Sequence, residues 1–304
     1  MQKINLILKT PKIMENTTMN AQEKFIANFI KQQDNVMVSN SVIDMKSMLG
    51  IPTRVGLENG IISNGALVNV VSNQYGHLPN QSFFGEVERQ LKEANINYVT
   101  KSINRNDRSF SVDYVLFDDN LTVNVKNCND KILPMLRFVN SYDGSNKTSG
   151  HFGFFRQVCS NGLHVAQSEI GFSVKHRGKI VEIVMPEIST LVHKFMANEY
   201  YTLSNKFELM AQKSIKDVNA FVKSVADDLG LFKFDASATN AEPSLNARLV
   251  IDTITKEARI LGAEPNLWLG YNAFNELLHD KLKKTFDQQA NIDSKIFEHI
   301  LQMA

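Results

Sequence analysis

The spacing of apolar and polar positions changes character once along the chain, near Pro186. Before it, short β-branched and aromatic runs alternate with turn residues, which is the signature of strands. Ile96–Ile103 and Phe110–Phe117 are two such runs, and the connector Asn104-Arg-Asn-Asp-Arg is turn chemistry, so an antiparallel hairpin is expected. Leu67–Ser72 reads as a buried Val-rich strand and Leu121–Val125 as a further strand. Between Leu136 and Val165, strand-like stretches flank Asp143-Gly144 and Asn161-Gly162, both tolerant of the positive φ that tight turns demand. Phe172–His176 and Lys179–Val184 are expected to form a last hairpin around Arg177-Gly178.

Two helices are predicted early. Phe25, Ile26, Phe29 and Ile30 share one face of a short helix over Ala21–Gln32, and Phe83, Phe84, Val87 and Leu91 share a face of a second, with Asn80 as its N-cap. After Pro186 the period is helical. Ile188, Leu191, Val192, Phe195, Met196, Leu203, Phe207 and Met210 trace one long face, and a second helix carries Ile215 to Leu229. Another is expected from Pro243 to Leu261, stopped by Gly262 and Pro265. Helices near 272–286 and 292–302 follow. The fold class is therefore α+β: an antiparallel β-sheet core with an early helix, followed by an all-helical C-terminal region. The expected organisation is an N-terminal arm and short mixed segment (1–65), a β-rich core (66–186) and a helical region (187–304) with a polar linker near 235–243.

Charge alters this picture little. The 304 residues carry a formal net charge of +1. Residues 1–79 and 80–186 are each +2 and residues 187–304 are −3. A nucleic-acid binder usually has a clear basic excess, so any such surface must come from local clustering. Cys128 and Cys159 make no Cys-x-x-Cys pair and no disulfide framework. The apolar stretch at the N-terminus is too short and interrupted for a signal peptide, and no segment is long enough to span a bilayer. A cytoplasmic location without membrane contact is expected.

The blocks Asn140-Ser-Tyr-Asp-Gly-Ser and Phe154-Phe-Arg-Gln-Val-Cys-Ser-Asn-Gly-Leu resemble a phage/plasmid-like family known as domain of unknown function 932, as does Tyr75-Gly-His-Leu-Pro-Asn before an apolar helix. The resemblance spans about residues 65–215. It implies no activity; for a phage-encoded chain the expected cytoplasmic location means the host cytoplasm. A distant likeness to phage single-strand annealing proteins, which combine a helix with an antiparallel sheet and bind DNA along a groove, implies DNA handling by analogy of fold.

Most candidate chemistry has a plainer reading. Gly150 and Gly153 lack the Gly-Lys-Ser/Thr of a P-loop and suit relief of crowding in a strand. Cys159, Asn161 and His164 could place an imidazole beside a thiol, although a free cysteine usually packs as a small hydrophobe. His151, His164 and His176 match no zinc spacing. Asp118-Asp119 and Asp143 could hold a divalent cation but also make ordinary turns.

Basic residues near aromatic ones point elsewhere. Arg105 and Arg108 fall at one hairpin tip, Lys147 lies near Tyr142, Arg156 follows Phe154-Phe155, and Lys175, Arg177 and Lys179 fall at another tip. Cations on loops can follow phosphates, and rings such as Tyr142 and Phe155 can stack on unpaired bases; the alternative is that tips are simply charged and the rings are core. The expectation is a protein that binds single-stranded nucleic acid, and could anneal DNA, with no cofactor and no metal, and with homo-oligomerisation as a further possibility. The alternatives are an enzyme using Asp143, Cys159 or His164, and a non-catalytic assembly protein whose helical tail, with Trp268, mediates association.

Overall fold

The computed structural model describes residues 33–50, 54, 56–116, 122–156, 162–163, 171–197, 201–237 and 240–304. The helix expected over Ala21–Gln32, the Asp118-Asp119 turn, Cys159, Asn161 and His164 lie outside them.

Two sheets organise the first half. Strands β1 (Asn40–Asp44), β2 (Asn59–Ser63) and β3 (Ala66–Val71) form an antiparallel sheet in that order, and a short helix α1 (Met45–Leu49) follows β1. Strand β3 was expected to be buried, yet Leu67 and Val70 are exposed, because this small sheet leaves part of β3 uncovered. Helix α2 (Asn80–Glu93) leads to the hairpin β4 (Tyr98–Arg105) and β5 (Ser109–Leu116). Then come β6 (Val123–Val125), β7 (Asp130–Ser141), β8 (Thr148–Arg156), β9 (Gly162–Leu163) and β10 (Gly171–Val174). The large sheet runs β10-β8-β7-β5-β4, with β6 on β7 and β9 on β8, and every pairing is antiparallel.

Period-two alternation gives this sheet two unlike faces. Tyr114, Leu136 and Phe152 are register partners on the apolar face. Helix α2 sets Phe83 against Phe138 with ring centroids 5.8 Å apart. Gly150 lies between Phe138 and Phe172, where a Cβ would come within 2.7 Å and 2.6 Å of their rings. The glycine relieves crowding, as its place in a strand suggested. The opposite face carries a polar row, Lys101–Asp113–Arg137–His151, in direct register. Arg137 grips Asp113 with two nearly parallel bonds of 2.5 and 2.6 Å.

The chain turns helical earlier than expected. Lys179–Val184 is no hairpin strand, because helix α3 spans Ile180–Met196 and contains Pro186 within it. Ile180, Val184, Ile188, Leu191, Val192 and Phe195 are buried, a helical stripe that outweighs the local β-branched propensity. The long apolar face after Pro186 is divided between α3 and α4 (Tyr201–Gln212). Helix α5 (Val218–Leu229) follows. The stretch read as a linker forms two short paired strands, β11 (Asp235–Ser237) and β12 (Asn240–Pro243). Helices α6 (Leu245–Leu261), α7 (Leu267–Asp280) and α8 (Phe286–Leu301) complete the chain.

These helices share one apolar cluster with the sheet. Phe195 meets Phe152 at 5.8 Å, Phe207 meets Phe154 at 5.0 Å, and Phe207 meets Trp268 at 4.6 Å. Trp268 is wholly buried, so it offers nothing to an oligomer surface. Among the described residues no helix is long and apolar enough to cross a membrane.

Candidate nucleic-acid interface

The β4–β5 tip is built from residues that accept left-handed backbone. Asn106 and Asp107 both have φ of 55°, and Arg108 N–H donates to the Arg105 carbonyl at 3.2 Å. The Asn104 side chain locks the turn by bonding both the Asp107 backbone N–H and its carboxylate at 2.7 Å. This geometry projects Arg105 and Arg108 from one end of the large sheet.

That tip forms one wall of a cleft of about 620 Å³. The second wall is the α7–α8 connection, with Lys281, Lys283 and Lys284, and the floor includes Asp143, Ser145 and Asn146 from the β7–β8 turn. Among the described lining residues, five cations therefore face one carboxylate. Arg108, Lys281, Lys283 and Lys284 are exposed, and none of the four joins an ion pair among the described residues. His279 also lines the cleft, but burial, followed by Arg137, Lys101 and Arg105, holds its imidazole well below the usual range, so it stays neutral. The α8 N-terminus is already satisfied, since Thr285 and Gln288 form a reciprocal capping box. The positive character of the cleft comes from side chains.

The floor is stapled to α8. Asp287 N–H donates to the Asn146 side-chain carbonyl, and Lys147 N–H returns a bond to the Asp287 carboxylate, each at 3.0 Å. Asn146 also donates to Ser109 Oγ at 2.7 Å, and Ser141 Oγ donates to the Asn146 carbonyl at 2.8 Å. Asp143 accepts the Ser145 N–H at 2.9 Å, and Gly144 takes the positive φ of 73° that the turn requires.

Two of the sequence blocks, Tyr75–Asn80 and Asn140–Ser145, meet in a buried network. Tyr142 Oη accepts the Asn80 N–H at 2.8 Å. Asn140 donates to the Leu78 carbonyl at 2.9 Å and to the Asn80 side-chain oxygen at 2.8 Å, and accepts from Thr148 at 3.0 Å. Asn80 itself donates to the Val36 carbonyl at 2.6 Å. Asn80 is thus a buried clamp, while Pro79 occupies the cap position of α2. His176 stacks on Tyr75 at 5.3 Å and lies 3.2 Å from Thr148 Oγ1, with burial depressing its pKa to about 4.

The sequence-selected residues divide between surface and core. Arg105 and Arg108 line the cleft; Lys147 is exposed beside α8. Lys175, Arg177 and Lys179 are exposed on the β10–α3 connection and line none of this cleft; Arg177 donates to Gln74 at 3.1 Å and Lys179 pairs with Glu182 at 2.9 Å. Tyr142 and Phe155 are fully buried, Phe155 against Val115, Leu133 and Met135, so neither presents a face to a base. Arg156 is also fully buried, held by Asp130 at 2.6 Å and Glu257 at 2.8 Å. Lys281, Lys283 and Lys284 were missed; three lysines in four positions was their only signal. Among the described residues no group of His, Cys, Asp or Glu is arranged to hold a metal ion.

Fold and cleft together define an α+β protein with an open cationic groove at one end of an antiparallel sheet. The chain matches, over residues 67–295, the family described as Domain of unknown function (DUF932), and belongs to it. No curated protein and no solved structure matches the chain.

Proposed function

We propose that the chain binds single-stranded nucleic acid by its phosphate backbone, laid in the cleft between the β4–β5 tip and the α7–α8 connection. The observation that carries this reading is the five-to-one excess of cations over carboxylates among the described lining residues, with four of the cations exposed and outside any ion pair among the described residues. Such a surface attracts a polyanion and releases its counterions. With Tyr142 and Phe155 buried, recognition through these rings is set aside, and binding tolerant of sequence follows. A setting in phage or plasmid DNA metabolism, such as strand annealing, rests on the likeness of the sequence blocks.

The test is binding of labelled single-stranded and duplex oligonucleotides across a salt series. The single strand should be preferred, and log K should fall linearly with log salt. Each cation that touches a phosphate, replaced by alanine, should reduce the slope by about one. No binding at low salt, or a Lys281/Lys283/Lys284/Arg108 alanine variant that binds as the wild type does, would remove the reading.

A further inference from the structure

The two arginines of the β4–β5 tip are in different states. Arg108 is exposed and its side chain lies outside any ion pair among the described residues. Arg105 is half-buried, and its guanidinium is committed on three sides. It donates to the Lys284 carbonyl at 2.7 Å and to the Gln289 side-chain oxygen at 3.4 Å, and its Cζ lies over the Phe286 ring, 3.8 Å from the ring centre. Phe286 is buried, and the three partners bracket the end of the lysine loop and the first turn of α8. One side chain from the sheet thus fastens the loop that carries Lys281, Lys283 and Lys284.

We propose that Arg105 is a positioning residue: it locks the lysine loop against the hairpin tip and so sets the spacing of the cations in the cleft, without itself being a phosphate ligand. Its effect on binding rests on the nucleic-acid reading above; its effect on the loop does not. The planar fork is what the role requires, because it can bond two acceptors while stacking on a ring. A lysine in its place keeps the charge but cannot make the three contacts together. Arg105→Lys therefore separates a strut from a ligand, which a change to alanine alone would not do.

The loop supplies a readout independent of any ligand. The amides of Lys281 and Leu282 bond to the Leu277 carbonyl, and the Thr285 amide bonds to Gln288. In both Arg105→Lys and Arg105→Ala, exchange of these amides should quicken by about tenfold, as local opening becomes easier. Trypsin should cut sooner after Lys283 and Lys284 in both variants. Arg108→Ala should leave exchange and cleavage unchanged. Binding of a single-stranded oligonucleotide at low salt should weaken about as much in Arg105→Lys as in Arg105→Ala, although only one loses a charge. Wild-type exchange in Arg105→Lys would overturn the strut. Wild-type affinity in a variant whose loop has loosened would overturn its part in binding. A loosened loop in a protein that never binds the oligonucleotide would retain the strut and reject the nucleic-acid reading.

Discussion

The Trp268 indole N–H donates to the Asp130 carboxylate at 2.8 Å, on the same oxygen that accepts Arg156 Nε at 2.6 Å. Both residues are fully buried, and Arg156 reaches on to Glu257 in α6. One charged knot thus ties β7 and β8 to α6 and α7. A buried arginine between two carboxylates costs much desolvation, but removing it leaves two uncompensated anions.

Arg156→Met is therefore expected to destabilise the fold by about 3–5 kcal/mol, and Trp268→Phe, which removes one donor and leaves a small cavity where the buried indole packed, by about 1–3 kcal/mol. Urea unfolding monitored by circular dichroism would check both. A loss of stability in Trp268→Phe larger than in Arg156→Met would contradict the arrangement.

Asn140→Ala leaves the Leu78 carbonyl and the Asn80 and Thr148 side chains short of a partner in a buried site. A loss of about 2–4 kcal/mol is expected, since unmet buried polar groups cost more than the bonds contribute.

Gly150→Ala places a methyl group against Phe138 and Phe172 at distances no real Cβ adopts. The rings must move, at a cost of about 1–3 kcal/mol. A thermal melt that matches the wild type would show that the strand has slack the packing does not suggest.

Stability should respond to pH in two opposed ways. Burial lowers the pKa of His151 and His176 to about 4, so the unfolded chain takes up these protons first and stability falls as pH drops from the ordinary histidine range toward 4. Burial raises Asp293 to about 7, partly offset by bonds from Asn275 and Tyr271. The native state then holds this proton where the unfolded chain has released it, so this group's contribution is lost as pH rises through 7. Asp293→Asn should therefore gain stability with rising pH between 4 and 7 more steeply than the wild type. Urea midpoints at pH 5 and pH 8 measure this directly; parallel curves would exclude a role for Asp293.

Arg177 offers a control for the cleft. It lies outside the lining and is engaged with Gln74. Arg177→Ala should leave the salt slope of oligonucleotide binding unchanged, whereas Arg108→Ala should reduce it by about one. Equal effects would place nucleic acid across a wider surface than the cleft.

Local pattern made the β4–β5 hairpin legible, since both strands and the turn lie within twenty residues and agree with one another. It misread Lys179–Val184, where Ile180, Val181, Ile183 and Val184 are all β-branched and so read as a strand. The helix prevails because Ile180 and Val184, four residues apart, belong to a buried stripe that continues to Phe195, while Val181 and Ile183 stay exposed. The candidate site was legible on one wall only. Arg105 and Arg108 were visible at a turn, but Lys281–Lys284 belongs to a segment with net negative charge, and no local signal announces a bond from Arg105 to Lys284. The buried fate of Tyr142 and Phe155 was equally hidden, because a ring beside a cation reads alike on a surface and in a core.

The bond from Arg105 to Lys284 spans 179 positions, and the staple at Asn146 and Asp287 spans 141. During synthesis the hairpin tip leaves the ribosome long before its opposite wall exists. The groove is therefore absent from the nascent chain until α8 docks, and if it binds nucleic acid as proposed, a chain still on the ribosome would be without that site.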